Sequence, residues 1–337
     1  MNHAAVIGGG AWGTSLAWLL AENGRTVRLW LYEKELVESI LSKRENDRYL
    51  PGVTLPPAVT PTASLKEAVD GCGFAVFVVP SHVARAVFSE MHAHLPADVP
   101  IVIATKGIEN DSLRLMTDVL LDVDRRRRRS SMAVLSGPSF AKEVCQRLPT
   151  AVTLAGAPAL TAMLQPHFTT GFFKLFLSRD VIGVQLGGAV KNVIALAAGG
   201  ADGLGFGHNT RAALITRGLA EIIRLGRSMG AEVRTFHGLS GIGDLILTCT
   251  SDLSRNRTVG FQFGQGRPLD QILSQMQMVA EGVSTAKAAY QLAKRQRVEM
   301  PIVNEVYAVL FERKSPRRAV EDLMAQHIGI EFPNSRG

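Results

Sequence analysis

A glycine-rich turn near the start of the chain constrains the fold more than any other feature. The apolar residues 4–7 predict a buried strand, and the uncharged residues 11–21 predict a buried helix. Between them, residues 8–13 read GGGAWG, the pattern G-x-G-x-x-G. In this setting the first glycine permits a tight turn, the second lets the backbone approach a pyrophosphate, and the third lets the helix pack closely on the strand. The pattern therefore predicts a dinucleotide site at Gly8, Gly10 and Gly13, with the helix N-terminus facing the phosphates.

The remaining residues fall into two parts. Short apolar runs recur at residues 27–31, 74–79, 101–104, 132–135, 151–154 and 172–177. Such runs between helical segments are typical of a parallel sheet covered on both faces. From Val181 onward helical periodicity dominates, and Ser315-Pro316 predicts the start of a last helix. We therefore expect an α/β fold, with a Rossmann-type doubly wound parallel sheet over residues 1–185 and an all-helical C-terminal domain over residues 186–330.

Composition argues against several other classes of protein. Hydrophobic residues make up 46% of the chain and charged residues 20%, which is typical of a globular protein. Five positive charges of the net +7 form one arginine run at residues 125–129, which lacks interleaved aromatics. We expect this run to be a solvated loop and expect no nucleic-acid binding.

The cysteines and the N-terminal apolar stretch bear on the compartment. Cys72, Cys145 and Cys249 are too widely spaced for a disulfide framework or a metal site. The glycines interrupt residues 4–21, and no Lys or Arg precedes them, so a signal anchor is not expected. We expect a cytoplasmic protein without a metal ion and without membrane insertion.

The end of the second strand should lie beside the adenosine ribose of a bound dinucleotide. Glu33 follows Gly13 by twenty residues, near the spacing of the acid that bonds the ribose 2′-hydroxyl. A carboxylate there favours NAD, whereas Lys34 and Arg28 could favour NADP. A surface glutamate after a strand fits the pattern equally well, so the sequence leaves the choice of cofactor open.

Two lysines stand where hydride chemistry could use them. Reduction of a ketone leaves negative charge on the carbonyl oxygen, which requires a proton donor or a cation. Lys106 ends a strand at the carboxyl edge of the sheet, and Lys191 is the only charged residue between Val181 and Ala198. Lys191 is therefore predicted to be buried, and a buried lysine requires a partner or a function. Asp244, in another apolar stretch, is the predicted partner.

A polar cluster lies further along the chain. Thr248 and the run Ser254-Arg255-Asn256-Arg257 supply hydroxyl, guanidinium and amide groups suited to a phosphate. The alternative is an exposed helix start capped by Ser254.

The chain resembles the bacterial form of the NAD(P)-dependent glycerol-3-phosphate dehydrogenase family. The resemblance rests on GGGAWGTSLA (8–17), VVPSH (78–82), ATKG (104–107), SGPSFAKEV (136–144), IGVQLGGAVKNVIALAAGGADGLGFGHNTRAALITRG (182–218), GIGDLILTCTSDLSRNR (241–257) and VAEG (279–282). It implies reversible hydride transfer between NAD(P)H and dihydroxyacetone phosphate, giving sn-glycerol 3-phosphate for glycerophospholipid synthesis, in a homodimer. Two features depart from the family pattern: Tyr32, where bacterial relatives often carry His or Arg, and the arginine run.

The resemblance also implies roles for individual residues. Lys191 would be the proton donor and acceptor, with Asp244 beside it. The implied substrate contacts are Lys106, Gly137, Ser139, Asp244, Ser254, Arg255 and Asn256. The implied cofactor contacts, besides the glycines, are Ala11, Trp12, Tyr32, Lys106, Ala141, Arg255, Val279 and Glu281.

Two other functions remain open at this point. One is a different two-domain dehydrogenase, acting on another hydroxy acid or on a sugar nucleotide. The other is a non-catalytic nucleotide sensor that binds nucleic acid through residues 125–129, although a sensor would have no need of Lys191 and Asp244 together.

Overall fold

The computed structural model describes residues 3–276 and 280–325. The strands in these residues are β1 (Ala4–Ile7), β2 (Val27–Trp30), β3 (Val59–Thr62), β4 (Phe74–Phe77), β5 (Ile101–Ile103), β6 (Met132–Ser136), β7 (Thr150–Gly156) and β8 (Phe173–Ser178). They form one sheet in the order β3-β2-β1-β4-β5-β6-β7-β8. Strand order reverses between β1 and β4, and sheets of this kind bind ligands at such a point, beyond the carboxyl ends of the strands.

Two features of the sheet differ from the sequence-based prediction. β3 was not among the predicted strands, and its Pro61 lies opposite Leu29 at the edge of the sheet. Proline has no N–H to donate, so it is tolerated at an edge but weakens the sequence pattern of a strand. In addition, β7 runs antiparallel to β6, and β8 follows β7. The sheet is therefore mostly rather than wholly parallel.

Helices cover both faces of this sheet. They are α1 (Ala11–Glu22), α2 (Lys34–Lys43), α3 (Leu65–Val69), α4 (Ala84–Met91), α5 (Met116–Val123), α6 (Ala141–Cys145) and α7 (Pro158–Phe168). Because successive strand residues point to opposite faces, Val6 packs in one core with Leu16, and Ile7 packs in another with Phe88. This confirms the predicted doubly wound arrangement.

The rest of the described chain is helical. It contains α8 (Val181–Gly203), α9 (His208–Ser228), α10 (Val233–Phe236), α11 (Asp244–Thr250), α12 (Arg255–Gly264), α13 (Leu269–Ser274), α14 (Glu281–Gln296), α15 (Pro301–Phe311) and α16 (Pro316–Ala325). The Ser315 hydroxyl accepts the Arg318 N–H at 3.1 Å, which confirms the predicted start of α16. The predicted boundary between residues 185 and 186 lies inside α8, so the two parts of the chain share one continuous helix.

The long helix α8 forms the centre of the helical part. It packs against α9, α11, α12, α14 and α15, and it also touches β6. Among the residues that the structure describes, it is the one helix long and apolar enough to cross a membrane, but 83% of its most apolar stretch is buried inside the protein. Its composition is therefore explained by its place in a core.

Helices α8 and α12 approach each other at glycine contacts. A Cβ atom on Gly199 would lie 2.0 Å from the Arg257 carbonyl oxygen, and one on Gly260 would lie 2.1 Å from the Leu196 carbonyl oxygen. Only glycine allows the two backbones to come this close. The contact fixes the start of α12 beside the middle of α8.

Four of the five arginines in the run 125–129 are exposed, as expected for a solvated loop, and Arg127 is the exception. Arg127 is only 4% exposed and donates to the carbonyl oxygens of Val99 at 2.6 Å and Pro96 at 2.9 Å. Arg126 pairs with Asp124 at 2.8 Å, and Arg129 pairs with Asp118. Arg127 is therefore part of the packed structure, whereas Arg126 and Arg129 form ion pairs at the surface and Arg125 and Arg128 add positive charge there.

Candidate active site

The glycine turn has the geometry that a pyrophosphate site requires. Gly8 has a φ of +123°, and a Cβ on Gly13 would lie 1.8 Å from the Gly8 carbonyl oxygen, so neither position accepts a side chain. A Cβ on Gly10 would meet no atom within 4 Å, which leaves open space in front of the turn. Helix α1 begins at Ala11 without a side-chain cap, so the N–H groups of Ala11, Trp12 and Gly13 are oriented toward that space. The residues present fit a dinucleotide.

A buried asparagine that the sequence did not reveal supports this turn. Asn46 is fully buried, and its Nδ2 donates to the Gly9 carbonyl oxygen and to Thr14 Oγ1, both at 2.8 Å. Its Oδ1 accepts the Tyr49 N–H at 3.1 Å. The segment between α2 and β3 therefore stabilises the glycine turn through the hydrogen bonds of Asn46.

The end of β2 presents one acid with a fixed carboxylate. Glu33 Oε1 accepts a hydrogen bond from the Tyr49 hydroxyl at 2.6 Å. Tyr32, a predicted cofactor contact, is 81% exposed. Arg28 lies elsewhere: its guanidinium donates to the carbonyl oxygens of Glu67 at 2.5 Å and Asp70 at 3.3 Å. The expectation that Arg28 could hold a 2′-phosphate is therefore wrong.

Two lysines meet one carboxylate where the sheet touches the helical part. Lys191 Nζ donates to Asp244 Oδ1 at 2.5 Å, and Lys106 Nζ donates to Asp244 Oδ2 at 2.8 Å. The Thr248 hydroxyl lies 2.8 Å from Lys191 Nζ. Lys191 is 6% exposed and Asp244 is 1% exposed. The sequence had assigned Thr248 to a phosphate cluster, and the structure brings it to Lys191.

Burial and the nearby charges tune this lysine. Burial and the Lys106 charge lower the pKa of Lys191, the Asp244 carboxylate opposes both effects, and the net pKa is about 8. A lysine with this pKa can give a proton as the ammonium and take one as the neutral amine near neutral pH. The arrangement suits proton transfer to and from an oxygen.

The loop after β6 closes one side of this cluster. The Gly137 carbonyl oxygen accepts from Lys106 Nζ at 3.2 Å and from the Ser139 hydroxyl at 3.0 Å. Ala141 begins α6, and its carbonyl oxygen accepts from Ser15 on α1 at 3.1 Å. The loop therefore runs from the lysines to the helix that carries the glycine turn.

The start of α12 separates residues that the sequence had grouped. Ser254 caps the helix by accepting the Arg257 N–H at 3.3 Å, as the alternative interpretation expected, but it is buried rather than exposed. Arg257 turns away and pairs with Asp202 at 2.9 Å. Asn256 donates to Asn192 Oδ1 at 3.0 Å and accepts the Gly282 N–H at 2.9 Å, so it ties α12 to α8 and α14.

Arg255 and Glu281 lie on the same side of the cluster. Arg255 is partly accessible to solvent. Desolvation by the surrounding protein lowers the pKa of its guanidinium, and the nearby Glu281 charge opposes that lowering. Burial raises the pKa of Glu281, whose carboxylate accepts the Ser81 N–H at 3.0 Å and the Ser81 hydroxyl at 2.5 Å. The predicted cofactor contact Val279 lies outside the described residues. Ser81 lies in the stretch VVPSH (78–82) that contributed to the resemblance, but no role was predicted for it.

The fold and this site together define the class of two-domain NAD(P)-dependent dehydrogenases. Comparison with known proteins gives the family. A family model described as NAD-dependent glycerol-3-phosphate dehydrogenase N-terminus matches residues 3–161, and the corresponding C-terminus model matches residues 180–321. The chain belongs to the NAD-dependent glycerol-3-phosphate dehydrogenase family.

Individual relatives agree with this assignment. The chain is 55% identical to a glycerol-3-phosphate dehydrogenase [NAD(P)+] of Geobacter sulfurreducens, covering 98% of this chain and 99% of the relative. It is 52% identical to the protein of the same name from Citrifermentans bemidjiense, covering 97% and 98%. The crystal structure of glycerol-3-phosphate dehydrogenase from Coxiella burnetii superposes with a TM-score of 0.93 at 38% identity, over 96% of this chain and 99% of that one.

Proposed function

We propose that this protein transfers hydride reversibly between NAD(P)H and dihydroxyacetone phosphate, giving sn-glycerol 3-phosphate. The observation that carries the proposal is that Lys191 and Lys106 share the buried Asp244 carboxylate beside the carboxyl edge of a dinucleotide-type sheet. The family membership and the names of its relatives support the same substrate pair.

The cofactor is held along the glycine turn. Gly8, Gly10, Ala11, Trp12 and Gly13 would hold its pyrophosphate and the adjoining ribose. Lys106, Ala141, Arg255 and Glu281 would contact the nicotinamide half, and Tyr32 would border the adenosine. Val279 is a further proposed cofactor contact outside the described residues. Bound NAD(P)H supplies the hydride for the carbonyl carbon of the substrate.

Lys191 then meets the charge that develops on the substrate oxygen. In the direction of reduction its ammonium gives a proton to that oxygen, and in the direction of oxidation its neutral amine removes it. Asp244 and Thr248 orient the Lys191 ammonium, because each accepts a hydrogen bond from its Nζ. Lys106 adds a second positive charge that stabilises the developing oxyanion.

The substrate phosphate would lie at the start of α12. There the Arg255 guanidinium and the helix N-terminus both favour an anion. Gly137, Ser139, Ser254 and Asn256 complete this end of the pocket in the proposal. Arg257 takes no part, because Asp202 and Asp252 already neutralise it.

The proposal extends to the setting of the reaction. Residues 1–185 would bind the cofactor, and residues 186–330 would bind the substrate and carry the proton donor. The enzyme would work as a cytoplasmic homodimer that supplies glycerol 3-phosphate for glycerophospholipid synthesis. Light scattering after size-exclusion chromatography tests the dimer, and cell fractionation tests the compartment.

A spectrophotometric assay tests the reaction itself. Purified protein should oxidise NADH and NADPH when dihydroxyacetone phosphate is added and should not respond to an unphosphorylated ketone or to a 2-keto acid. Turnover with a keto acid alone would favour a different dehydrogenase. Salt-dependent DNA binding without any turnover would favour a nucleotide sensor.

A further inference from the structure

The segment between α2 and β3 connects the glycine turn to the end of β2. Asn46 binds Gly9 and Thr14 with its amide nitrogen and holds the Tyr49 N–H with its amide oxygen. The Tyr49 hydroxyl then reaches Glu33 at 2.6 Å. Asn46 thus joins this segment to the glycine turn and Tyr49 joins it to Glu33, so Glu33 is held at a fixed position relative to the turn.

Glu33 keeps one carboxylate oxygen available. Within the described residues Tyr49 engages only Oε1, which leaves Oε2 to accept a further hydrogen bond. Burial, together with the Glu33 charge, raises the pKa of Tyr49 to about 12, so the phenol stays a donor at every working pH. The carboxylate is therefore held in one orientation as an acceptor.

A cation lies directly beside this pair. The Arg48 guanidinium sits over the Tyr49 ring, 5.3 Å from its centroid, and the residue is exposed. Its basic neighbours are occupied: Lys43 pairs with Asp47 at 2.7 Å, and Arg44 donates to the carbonyl oxygens of Leu55 and Val59. A stacked, exposed guanidinium can turn toward a dianion at little cost.

We propose that Glu33, Tyr49 and Arg48 form the site for the 2′ position of the adenosine ribose, with Glu33 accepting the 2′-hydroxyl of NADH and Arg48 binding the 2′-phosphate of NADPH. The inference rests on the proposed function only in requiring that the glycine turn binds a dinucleotide. Because the Glu33 charge stays in place beside a 2′-phosphate, NADPH binds more weakly than NADH.

The test is direct binding, without substrate and without turnover. Dissociation constants for NADH and NADPH are measured by fluorescence titration on the wild type and on Arg48→Ala, Glu33→Gln and Tyr49→Phe. Lys43→Ala is the matched control, since it removes an exposed cation of the same segment that already has a partner. Lys34→Ala removes the other exposed cation near the end of β2.

Arg48→Ala should raise the dissociation constant of NADPH about 10-fold and leave that of NADH within about twofold of the wild type, because it removes one charge-assisted contact to the 2′-phosphate. Glu33→Gln should weaken the binding of NADH and strengthen the binding of NADPH. Tyr49→Phe should weaken the binding of NADH, because the Glu33 carboxylate loses its fixed orientation. Lys43→Ala should change neither constant. Added salt should weaken NADPH more than NADH in the wild type, and Arg48→Ala should remove that difference.

Three results would overturn the inference. An equal loss of affinity for both cofactors in Arg48→Ala would indicate that Arg48 has a structural role. An unchanged NADPH constant in Arg48→Ala, or a selective loss in Lys34→Ala instead, would put the phosphate elsewhere. If NADH binds and dihydroxyacetone phosphate is reduced while these results occur, only this inference fails; if no dinucleotide binds the wild type, the proposed function fails with it.

Discussion

At Lys191, burial and charge act in opposite directions on a single ammonium. Desolvation favours the neutral amine, whereas the Asp244 carboxylate at 2.5 Å favours the cation. The balance puts the pKa at about 8 rather than at the usual value for lysine. A proton donor for reduction must be charged, and an acceptor for oxidation must be neutral.

The pH dependence of the two directions should therefore be opposite. The kcat for reduction should fall as pH rises above about 8, and the kcat for oxidation should fall as pH drops below about 8. Lys191→Ala should lower kcat by about 10²–10⁴ and abolish both inflections, with little change in cofactor affinity. Steady-state assays across pH check this, with the exposed Lys174→Ala as control. A folded Lys191→Ala protein with near-normal kcat would remove Lys191 from the mechanism.

Arg255 and Arg257 offer a comparison between two arginines of one helix turn. Arg255→Lys should raise the KM for dihydroxyacetone phosphate about 10-fold or more, because an ammonium cannot reproduce a bidentate guanidinium contact. Arg257→Lys should leave that KM nearly unchanged, because Arg257 pairs with Asp202 and Asp252. Steady-state kinetics with substrate varied measure both. The assignment is wrong if the two variants change KM to the same extent.

Among the elements, the contact of α8 with α12 sets the distance between the proton donor and the proposed phosphate site. Gly199→Ala should destabilise the protein by about 1–3 kcal/mol, because its Cβ would push the Arg257 carbonyl away. Gly200→Ala is the matched control: its Cβ would lie 3.8 Å from the Gly260 carbonyl oxygen, an ordinary contact. Urea unfolding of both variants gives the difference. Equal stabilities would mean that the close approach is not needed.

The elements also explain what the sequence could and could not reveal. Lys191 was predictable because one charge in a long apolar segment requires an explanation wherever that segment packs. β3 was not predictable because Pro61 interrupts the apolar pattern of a strand. The direction of β7 was not predictable either, since an apolar run has the same pattern in a parallel and in an antiparallel strand. Asn46, Tyr49 and Ser81 act on residues far away in the chain, and no local pattern encodes such contacts.

On the scale of the whole molecule, α14 joins the sheet to the helical part along its length. Glu281 at its start binds Ser81, Ser284 accepts from Asn110 at 2.7 Å, and Arg295 near its end donates to the carbonyl oxygens of Ser112 and Leu113, both at 3.1 Å. These contacts hold the helix over the segment that follows Lys106.

Arg295→Ala should therefore loosen the cofactor contact at the other end of α14. The expected result is a rise of about two- to fivefold in the KM for the reduced cofactor with kcat nearly unchanged. This pattern is expected when the ground state and the transition state lose the same binding interaction. Lys294→Ala is the control, because its ammonium lies over the Tyr290 ring instead. Kinetics with cofactor varied distinguish the two. A fall in kcat without a change in KM would contradict a positioning role for Arg295.

The burial of α8 has a consequence for the nascent chain. Every helix that covers it (α9, α11, α12, α14 and α15) is made after it, so α8 leaves the ribosome before its covers exist. At normal rates of synthesis this interval is on the order of ten seconds. During it, an apolar helix of 23 residues has the length and composition of a membrane span. The Lys191 charge at its middle makes insertion less favourable by about 2.5–3.5 kcal/mol, so the proposed proton donor also disfavours entry of the unfinished chain into a bilayer.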